Sequence, residues 1–194
     1  TTGVRAVLET PPEFLREQLD AVFEDIFPDA VKIGMLPSAE LVRTIAERLR
    51  YYQAKNIVVD PVMAATSGSA LMGSGTAEVL ANELFPIAAL VTPNIPEAAV
   101  LSGVTIREEG DMLCAAKRIG DAFGCAVLLK GGHSSGAADD LLYADGGFRW
   151  FRGERIENPN THGTGCTLSS AVASNLAKGF TLDEAVQRAK SYLS

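Results

Sequence analysis

The segment that decides the fold is AVKIGMLPSAELVRTIAERLRYYQAKNIVVD, residues 30–60. Its first part, Ala30 to Met35, is a short apolar run that predicts a buried strand ending in a turn. Ser38 is suited to cap a helix that runs to about Tyr52, because apolar residues recur behind it at helical spacing. Asn56 to Val59 is rich in β-branched residues and stops at Asp-Pro, which predicts a second strand. Strand, helix and strand in this order indicate a β-α-β unit with two parallel strands.

The same alternation continues along the chain. Helical spacing predicts further helices over Pro12–Phe27, Thr76–Leu84, Pro96–Leu101 and Asp111–Phe123, and apolar runs predict strands over Ala88–Thr92 and Ala126–Lys130. Leu141–Tyr143 and Phe148–Phe151, separated by Asp-Gly-Gly, predict a β-hairpin. Thr181 and Glu184 form a capping-box pattern for a last helix. We therefore expect an α/β domain with a mostly parallel sheet covered by helices on both faces.

Composition excludes several classes of function. The net charge is −7, with 47% hydrophobic and 21% charged residues, so the chain lacks the basic excess of proteins that bind nucleic acid or anionic membranes. The apolar runs are too short to span a bilayer. The three cysteines include no C-x-x-C pair and there are two histidines, which argues against a disulfide framework or a zinc site and favours the reducing cytoplasm.

Polar side chains stand at the ends of the predicted strands, where α/β sheets bind their ligands. Asp60, Asn94, Glu97 and Lys130 would gather on one rim of the sheet. The carboxylates of Asp60 and Glu97 suit Mg²⁺, and Lys130 suits a phosphate. Each residue also has a simpler interpretation. Asp60 could form a turn, and Lys130 could reach water. Asn94 and Glu97 could have no other role than to cap and stabilise the start of a helix.

A second motif, Asn-Thr-His-Gly-Thr-Gly-Cys at 160–166, stands directly before a stretch of small and apolar residues with a helical pattern. It is either a tight turn onto a packed helix or an anion site, because glycines let backbone N–H groups converge at a helix start. It is neither a Walker A loop nor a dinucleotide fingerprint. A helix start favours the thiolate form of Cys166, which could act as base or nucleophile or be a small buried residue. Cys114 and Cys125 are interpreted as structural.

Five motifs occur in a fixed order along nearly the whole chain. They are Lys-Ile-Gly-Met-Leu at 32–36, Asp-Pro-Val-Met at 60–63, Thr-Pro-Asn-x-x-Glu at 92–97, Leu-Lys-Gly-Gly-His at 129–133 and the motif at 160–166. Together they resemble the hydroxymethylpyrimidine/phosphomethylpyrimidine kinases of thiamine biosynthesis, in the ribokinase-like superfamily. The last motif is highly specific, whereas Asp-Pro-Val-Met is shared with pyridoxal kinases.

The resemblance implies a fold, an activity and a setting. The fold would be a three-layer α/β/α ribokinase-like domain spanning 1–194, in a cytoplasmic homodimer. The enzyme would use ATP and Mg²⁺ to phosphorylate 4-amino-5-hydroxymethyl-2-methylpyrimidine, and then its monophosphate to the diphosphate. Family members usually begin with a strand and a substrate loop, so about 40–50 residues would precede Thr1, and a further segment would follow the last helix.

The resemblance also implies roles for individual residues. These are an anion hole at Gly163, Thr164 and Gly165, a base at Cys166, ATP contacts at Lys130, Asn94 and Thr161, Mg²⁺ ligands at Asp60 and Glu97, and a pyrimidine pocket lined by Gly34, Met35 and Val62. Two alternatives remain open from the sequence. One is a pyridoxal/pyridoxine kinase of the same superfamily, and the other is a non-catalytic ribokinase-like domain that binds a nucleotide or a thiamine precursor without turnover.

Overall fold

A computed structural model describes residues 6, 8–64, 72–73, 75–131, 139–153 and 163–193. Within these residues one sheet has six strands in the order β1-β2-β3-β4-β5-β6. The strands are β1 (Val31–Ile33), β2 (Ile57–Val59), β3 (Leu90–Val91), β4 (Ala126–Leu129), β5 (Asp140–Ala144) and β6 (Gly147–Phe151). The helices are α1 (Pro12–Asp25), α2 (Ala39–Tyr51), α3 (Thr76–Glu83), α4 (Ile95–Ser102), α5 (Glu109–Phe123), α6 (Thr164–Ala177) and α7 (Leu182–Leu193), with a 3-10 helix at Phe85–Ile87. The predicted α/β class is confirmed.

The sheet is parallel at one side and antiparallel at the other. Strands β1 to β4 pair in parallel, whereas β5 pairs antiparallel with β4 and with β6. The connection between β5 and β6 is the predicted hairpin, with a turn of two residues because Gly147 already belongs to β6. Asp145 and Gly146 have φ angles of 50° and 76°, as a type I′ turn requires.

The sheet is covered on both faces, because alternate strand residues point to opposite sides. Val59, Val127 and Leu129 pack in a cluster with side chains from helices α1 to α5. Val58 and Leu128 pack in a second cluster with side chains from α6 and α7. The expected three-layer α/β/α arrangement is thus confirmed. No helix in the described ranges has both the length and the apolarity to cross a membrane.

Some predicted boundaries differ from the structure, for local reasons. The predicted strand over residues 88–92 contracts to β3, because the preceding 3-10 helix closes with a hydrogen bond from the Ala88 N–H to the Phe85 carbonyl. Helix α1 stops at Asp25 because Ile26 has extended backbone angles. Helix α2 begins as predicted, since the Ser38 hydroxyl oxygen accepts the Leu41 N–H at 3.5 Å.

A largely buried ion pair attaches α7 to the edge of the sheet at which the parallel strands end. Lys190 Nζ donates to Asp140 Oδ2 at 2.9 Å and to the Phe151 carbonyl at 2.6 Å. The other oxygen of Asp140 accepts the Gly131 N–H at 3.0 Å. Helix α7 therefore helps to fix the backbone that directly follows Lys130.

Two glycines in α5 provide a matched test of how closely this helix packs on the sheet. A Cβ at Gly120 would lie 2.5 Å from Tyr143 Cδ1, whereas a Cβ at Gly110 would lie 3.7 Å from its nearest neighbour. We expect Gly120→Ala to lower the free energy of unfolding by about 1–3 kcal/mol through overpacking. Gly110→Ala should leave it unchanged or raise it by up to about 1 kcal/mol through helix propensity. Urea denaturation measures both, and equal stabilities for the two variants would contradict this packing.

Candidate functional site

The polar residues that follow β2, β3 and β4 lie side by side, as the sequence predicted. The backbone ladder continues just past the strands: the Thr92 N–H donates to the Val59 carbonyl at 2.9 Å, and the Lys130 N–H donates to the Pro93 carbonyl at 2.8 Å. Asn94 and Lys130 also form a parallel bridge. The carboxyl ends of these strands therefore hold Asp60, Thr92 and Lys130 in neighbouring positions.

The centre of this rim is an ion pair between Asp60 and Lys130. Asp60 is 1% exposed, and its Oδ1 accepts a hydrogen bond from Lys130 Nζ at 2.8 Å. The same oxygen accepts the hydroxyl of Thr92 at 3.1 Å. The second oxygen, Oδ2, lies 3.4 Å from the hydroxyl of Ser169 in α6. Asp60 therefore connects β2, β3, β4 and α6.

The first turn of α6 lies directly over this ion pair. A Cβ at Gly165 would be 3.2 Å from Lys130 Nζ and 4.0 Å from Asp60 Oδ2, so the absence of a side chain leaves room for the lysine. Gly163 is the N-cap, with φ of 87° and no side-chain cap. A helix N-terminus carries a partial positive charge and N–H groups that point away from the helix. Together with Lys130, this arrangement suits a phosphate group.

The cysteines differ in exposure. Cys166 is exposed in the first turn of α6, so its interpretation as a small buried residue is wrong. Cys125 is buried, and burial raises the pKa of its thiol to about 12, in keeping with a structural residue. Cys114 is exposed on α5. Among the three, Cys166 is the exposed thiol that belongs to the helix start above Lys130.

Asn94 and Glu97 form a complete capping box at the start of α4. The Glu97 N–H donates to Asn94 Oδ1 at 2.9 Å, and the Asn94 N–H donates to Glu97 Oε2 at 2.8 Å. Oε1 of Glu97 accepts the Met63 N–H at 3.5 Å. The capping interpretation is therefore confirmed. The same hydrogen bonds position the Glu97 carboxylate at the rim, where the residue is 5% exposed.

The pKa of Glu97 depends on the charged groups of the rim, Asp60 and Lys130. Burial raises the pKa of Glu97, and the charge of Asp60 acts in the same direction, while the Asn94 N–H and the charge of Lys130 oppose both. Two buried carboxylates in electrostatic contact are a donor set that a divalent cation stabilises. Within the described part of the chain, no three His, Cys, Asp or Glu residues group as metal ligands. Mg²⁺ usually takes one or two carboxylates together with phosphates and water.

The three residues predicted for the pyrimidine pocket lie after the two neighbouring strands β1 and β2. Gly34 and Met35 directly follow Ile33, which pairs with Val59. The Val62 N–H donates to the Asp60 carbonyl at 2.8 Å in the turn after β2. Met35 is half-buried and lines an apolar cavity of about 510 Å³. Other residues lining this cavity are Leu15, Leu36, Leu41 and Ile45.

Thr161, predicted to contact ATP, lies outside the described residues. In contrast, two rim residues were missed from the sequence as site residues, Thr92 and Ser169, and both are fully buried. The sequence did contain a feature that could have identified Thr92 as a site residue, since it is a polar residue at the end of a predicted strand. Ser169 had a weaker one: it stands four residues after Gly165, on the same face of α6.

The comparisons with known proteins place the chain in one family. The sequence model described as phosphomethylpyrimidine kinase matches residues 1–194. The thiamine biosynthesis bifunctional protein ThiED of Geobacter sulfurreducens is 49% identical over all of this chain, which spans 40% of that relative's length. The hydroxymethylpyrimidine/phosphomethylpyrimidine kinase of Rhizobium meliloti is 47% identical, again over the whole chain and 73% of the relative.

Solved structures agree with the sequence relatives. Phosphomethylpyrimidine kinase from Clostridium difficile is 41% identical with a TM-score of 0.87, over 100% of this chain and 79% of that one. Pyridoxal kinase from Staphylococcus aureus, in complex with AMP-PCP and pyridoxal, is 33% identical with a TM-score of 0.88. The match covers 97% of this chain and 68% of that one. The expected ribokinase-like fold is thereby confirmed. With a match from end to end, the chain belongs to the phosphomethylpyrimidine kinase family.

Proposed function

We propose that this protein is an ATP- and Mg²⁺-dependent kinase of thiamine biosynthesis. It phosphorylates hydroxymethylpyrimidine to the monophosphate and then phosphorylates this monophosphate to the diphosphate. The proposal rests on the family and on one structural observation: the buried Asp60–Lys130 pair lies under the N-terminal turn of α6, where a cation and backbone N–H groups face the same place.

Phosphoryl transfer depends mainly on positioning and on stabilising the charge of the transferred group. Backbone N–H groups of Gly163, Thr164 and Gly165 would stabilise that charge as an anion hole. Lys130, with Asn94 and Thr161, would contact the phosphates of ATP. Asp60 keeps the Lys130 ammonium at the rim before the nucleotide binds.

The exposed sulfur of Cys166, in the first turn of α6, would act as the base that accepts the proton of the substrate hydroxyl. The hydroxyl oxygen forms a bond to the γ-phosphorus, the bond from that phosphorus to the ADP oxygen breaks, and the proton moves to the Cys166 sulfur. With the monophosphate as acceptor, the attacking oxygen belongs to the phosphate group, which is mostly ionised at pH 7 and needs no base; the bonds to the γ-phosphorus form and break in the same way. Gly34, Met35 and Val62 would orient the pyrimidine.

Asp60 and Glu97 would hold Mg²⁺ or its water ligands. The fit is supported by the burial of both carboxylates and by the effect of Asp60 on the pKa of Glu97, which it helps to raise. When bound, Mg²⁺ neutralises phosphate charge. Because the Glu97 side chain is oriented by the capping box, its carboxylate reaches the rim without further rearrangement.

Pyridoxal is the second candidate acceptor. It is favoured by the likeness to the S. aureus pyridoxal kinase, whose structure contains AMP-PCP and pyridoxal. The higher identity to the pyrimidine kinases makes it the less supported alternative. A homodimeric state, a cytoplasmic location and a single kinase domain over residues 1–194 stay predictions. Sedimentation and cell fractionation would check the first two.

The first experiment measures ATP consumption by the purified protein with hydroxymethylpyrimidine, its monophosphate and pyridoxal as parallel acceptors. We expect turnover with both pyrimidines. Turnover with pyridoxal alone would replace the proposal by a vitamin B6 kinase. Nucleotide binding without turnover on any acceptor would indicate the non-catalytic domain.

Cys166→Ala should lower kcat with hydroxymethylpyrimidine by about 10²- to 10⁴-fold, because it removes the proton acceptor but keeps the backbone of the anion hole. The affinity for AMP-PCP, measured by calorimetry, should stay close to that of the unaltered protein. Cys114→Ala is the matched control, since Cys114 is another exposed helical thiol. Wild-type turnover in the Cys166→Ala variant would remove Cys166 from the role of base.

Glu97→Gln should raise the Mg²⁺ concentration that gives half-maximal activity by about tenfold or more, because it removes a carboxylate from the metal environment. Glutamine can keep the capping box, since its amide oxygen accepts the Asn94 N–H. Glu184→Gln is the matched control: Glu184 occupies the same position in the capping box of Thr181, on the exposed surface. Identical Mg²⁺ titrations for Glu97→Gln and the control would exclude Glu97 from the metal site.

A further inference from the structure

Ser169 is a fully buried serine inside α6, on the side that faces the rim. Its hydroxyl oxygen lies 3.4 Å from Asp60 Oδ2 and 3.1 Å from the carbonyls of both Gly165 and Cys166. A hydroxyl has one proton and can donate it to one of these oxygens at a time. Ser169 is therefore a donor that can serve either the helix or the carboxylate.

Thr92 binds the other oxygen of the Asp60 carboxylate. Its hydroxyl, fully buried, donates to Asp60 Oδ1 at 3.1 Å. Asp60 thus has a hydroxyl group at each oxygen, and Lys130 provides the only counter-charge that the described residues place in hydrogen-bond contact with it. In the free protein the lysine compensates the buried charge.

A bound phosphate changes this balance. The Lys130 ammonium contacts Asp60 and lies next to the first turn of α6, so a phosphate at that turn competes with Asp60 for its N–H donors. A buried carboxylate that loses a charged partner is strongly destabilised unless other donors replace it. The two hydroxyl groups are in position to supply this replacement.

We propose that Ser169 and Thr92 are positioning residues that hold Asp60 when Lys130 turns towards the nucleotide phosphates. This inference rests on the proposed function. The Ser169 hydroxyl rotates, so that its hydrogen bond changes from the α6 carbonyls to Asp60 Oδ2. The Thr92 hydroxyl keeps its hydrogen bond to Oδ1. The carboxylate therefore keeps its orientation at the rim, and the first turn of α6 stays attached to the end of β2.

The test compares the affinity for AMP-PCP with the stability of the free protein. Ser169→Ala should weaken AMP-PCP binding roughly 10- to 100-fold, the range expected for a hydrogen bond to a charged group. The urea midpoint of the free protein should change little, because Lys130 still compensates Asp60 there. Ser170→Ala, the exposed neighbour in the same helix, is the matched control and should bind AMP-PCP normally.

Two further comparisons separate positioning from packing. In an Asp60→Asn background, Ser169→Ala should cause no additional loss of affinity, because its effect acts through the carboxylate. Thr92→Val should weaken binding and Thr92→Ser should restore it, since serine keeps the hydroxyl group.

Each outcome is decisive. Unchanged affinity in Ser169→Ala, or an equal loss with and without the Asp60 carboxylate, would overturn the inference alone. A large fall in the urea midpoint with unchanged affinity would assign Ser169 to packing and also overturn it. Failure of the unaltered protein to bind AMP-PCP would overturn the proposed function, and the inference with it.

Discussion

The ion pair between Asp60 and Lys130 is the interaction on which the candidate site depends. The two residues follow β2 and β4, which are separated in the sheet by β3, so the lysine side chain reaches across a whole strand. Thr92 follows that middle strand and donates to the same carboxylate oxygen. Removing one partner of a buried pair leaves a charge without compensation. The positions of three strand ends and of the α6 start are therefore coupled through one carboxylate.

Sequence periodicity predicted the layers of the fold because each helix and strand buries one regular face. It also predicted which residues gather at the rim, since parallel strands end at a common edge. It could not predict that Asp60 and Lys130 pair with each other, because strand order and side-chain direction are tertiary properties. Ser169 was missed for a related reason: a serine in a helix of small residues is usually bonded to its own backbone.

Glu97 shows that a structural role, the capping of α4, is compatible with the functional role proposed for the same residue. The hydrogen bonds of the capping box determine where the carboxylate points, and burial beside Asp60 determines its electrostatic environment. A helix cap is rigid because both partners donate and accept. Rigidity of this kind is what a metal or phosphate site requires from the residues around it.

The distance along the chain between the partners of Asp60 bears on how the protein is made. Lys130 is separated from Asp60 by 70 residues and Ser169 by 109 residues. At a synthesis rate of about 5–20 residues per second, the ribosome needs roughly 5–20 seconds to add Ser169 after Asp60. A nascent chain that closed this edge of the sheet before Lys130 had emerged would bury an uncompensated carboxylate. The rim therefore gains its counter-charge before α6 is synthesised, and the proposed phosphate-binding turn emerges after the ion pair that it covers.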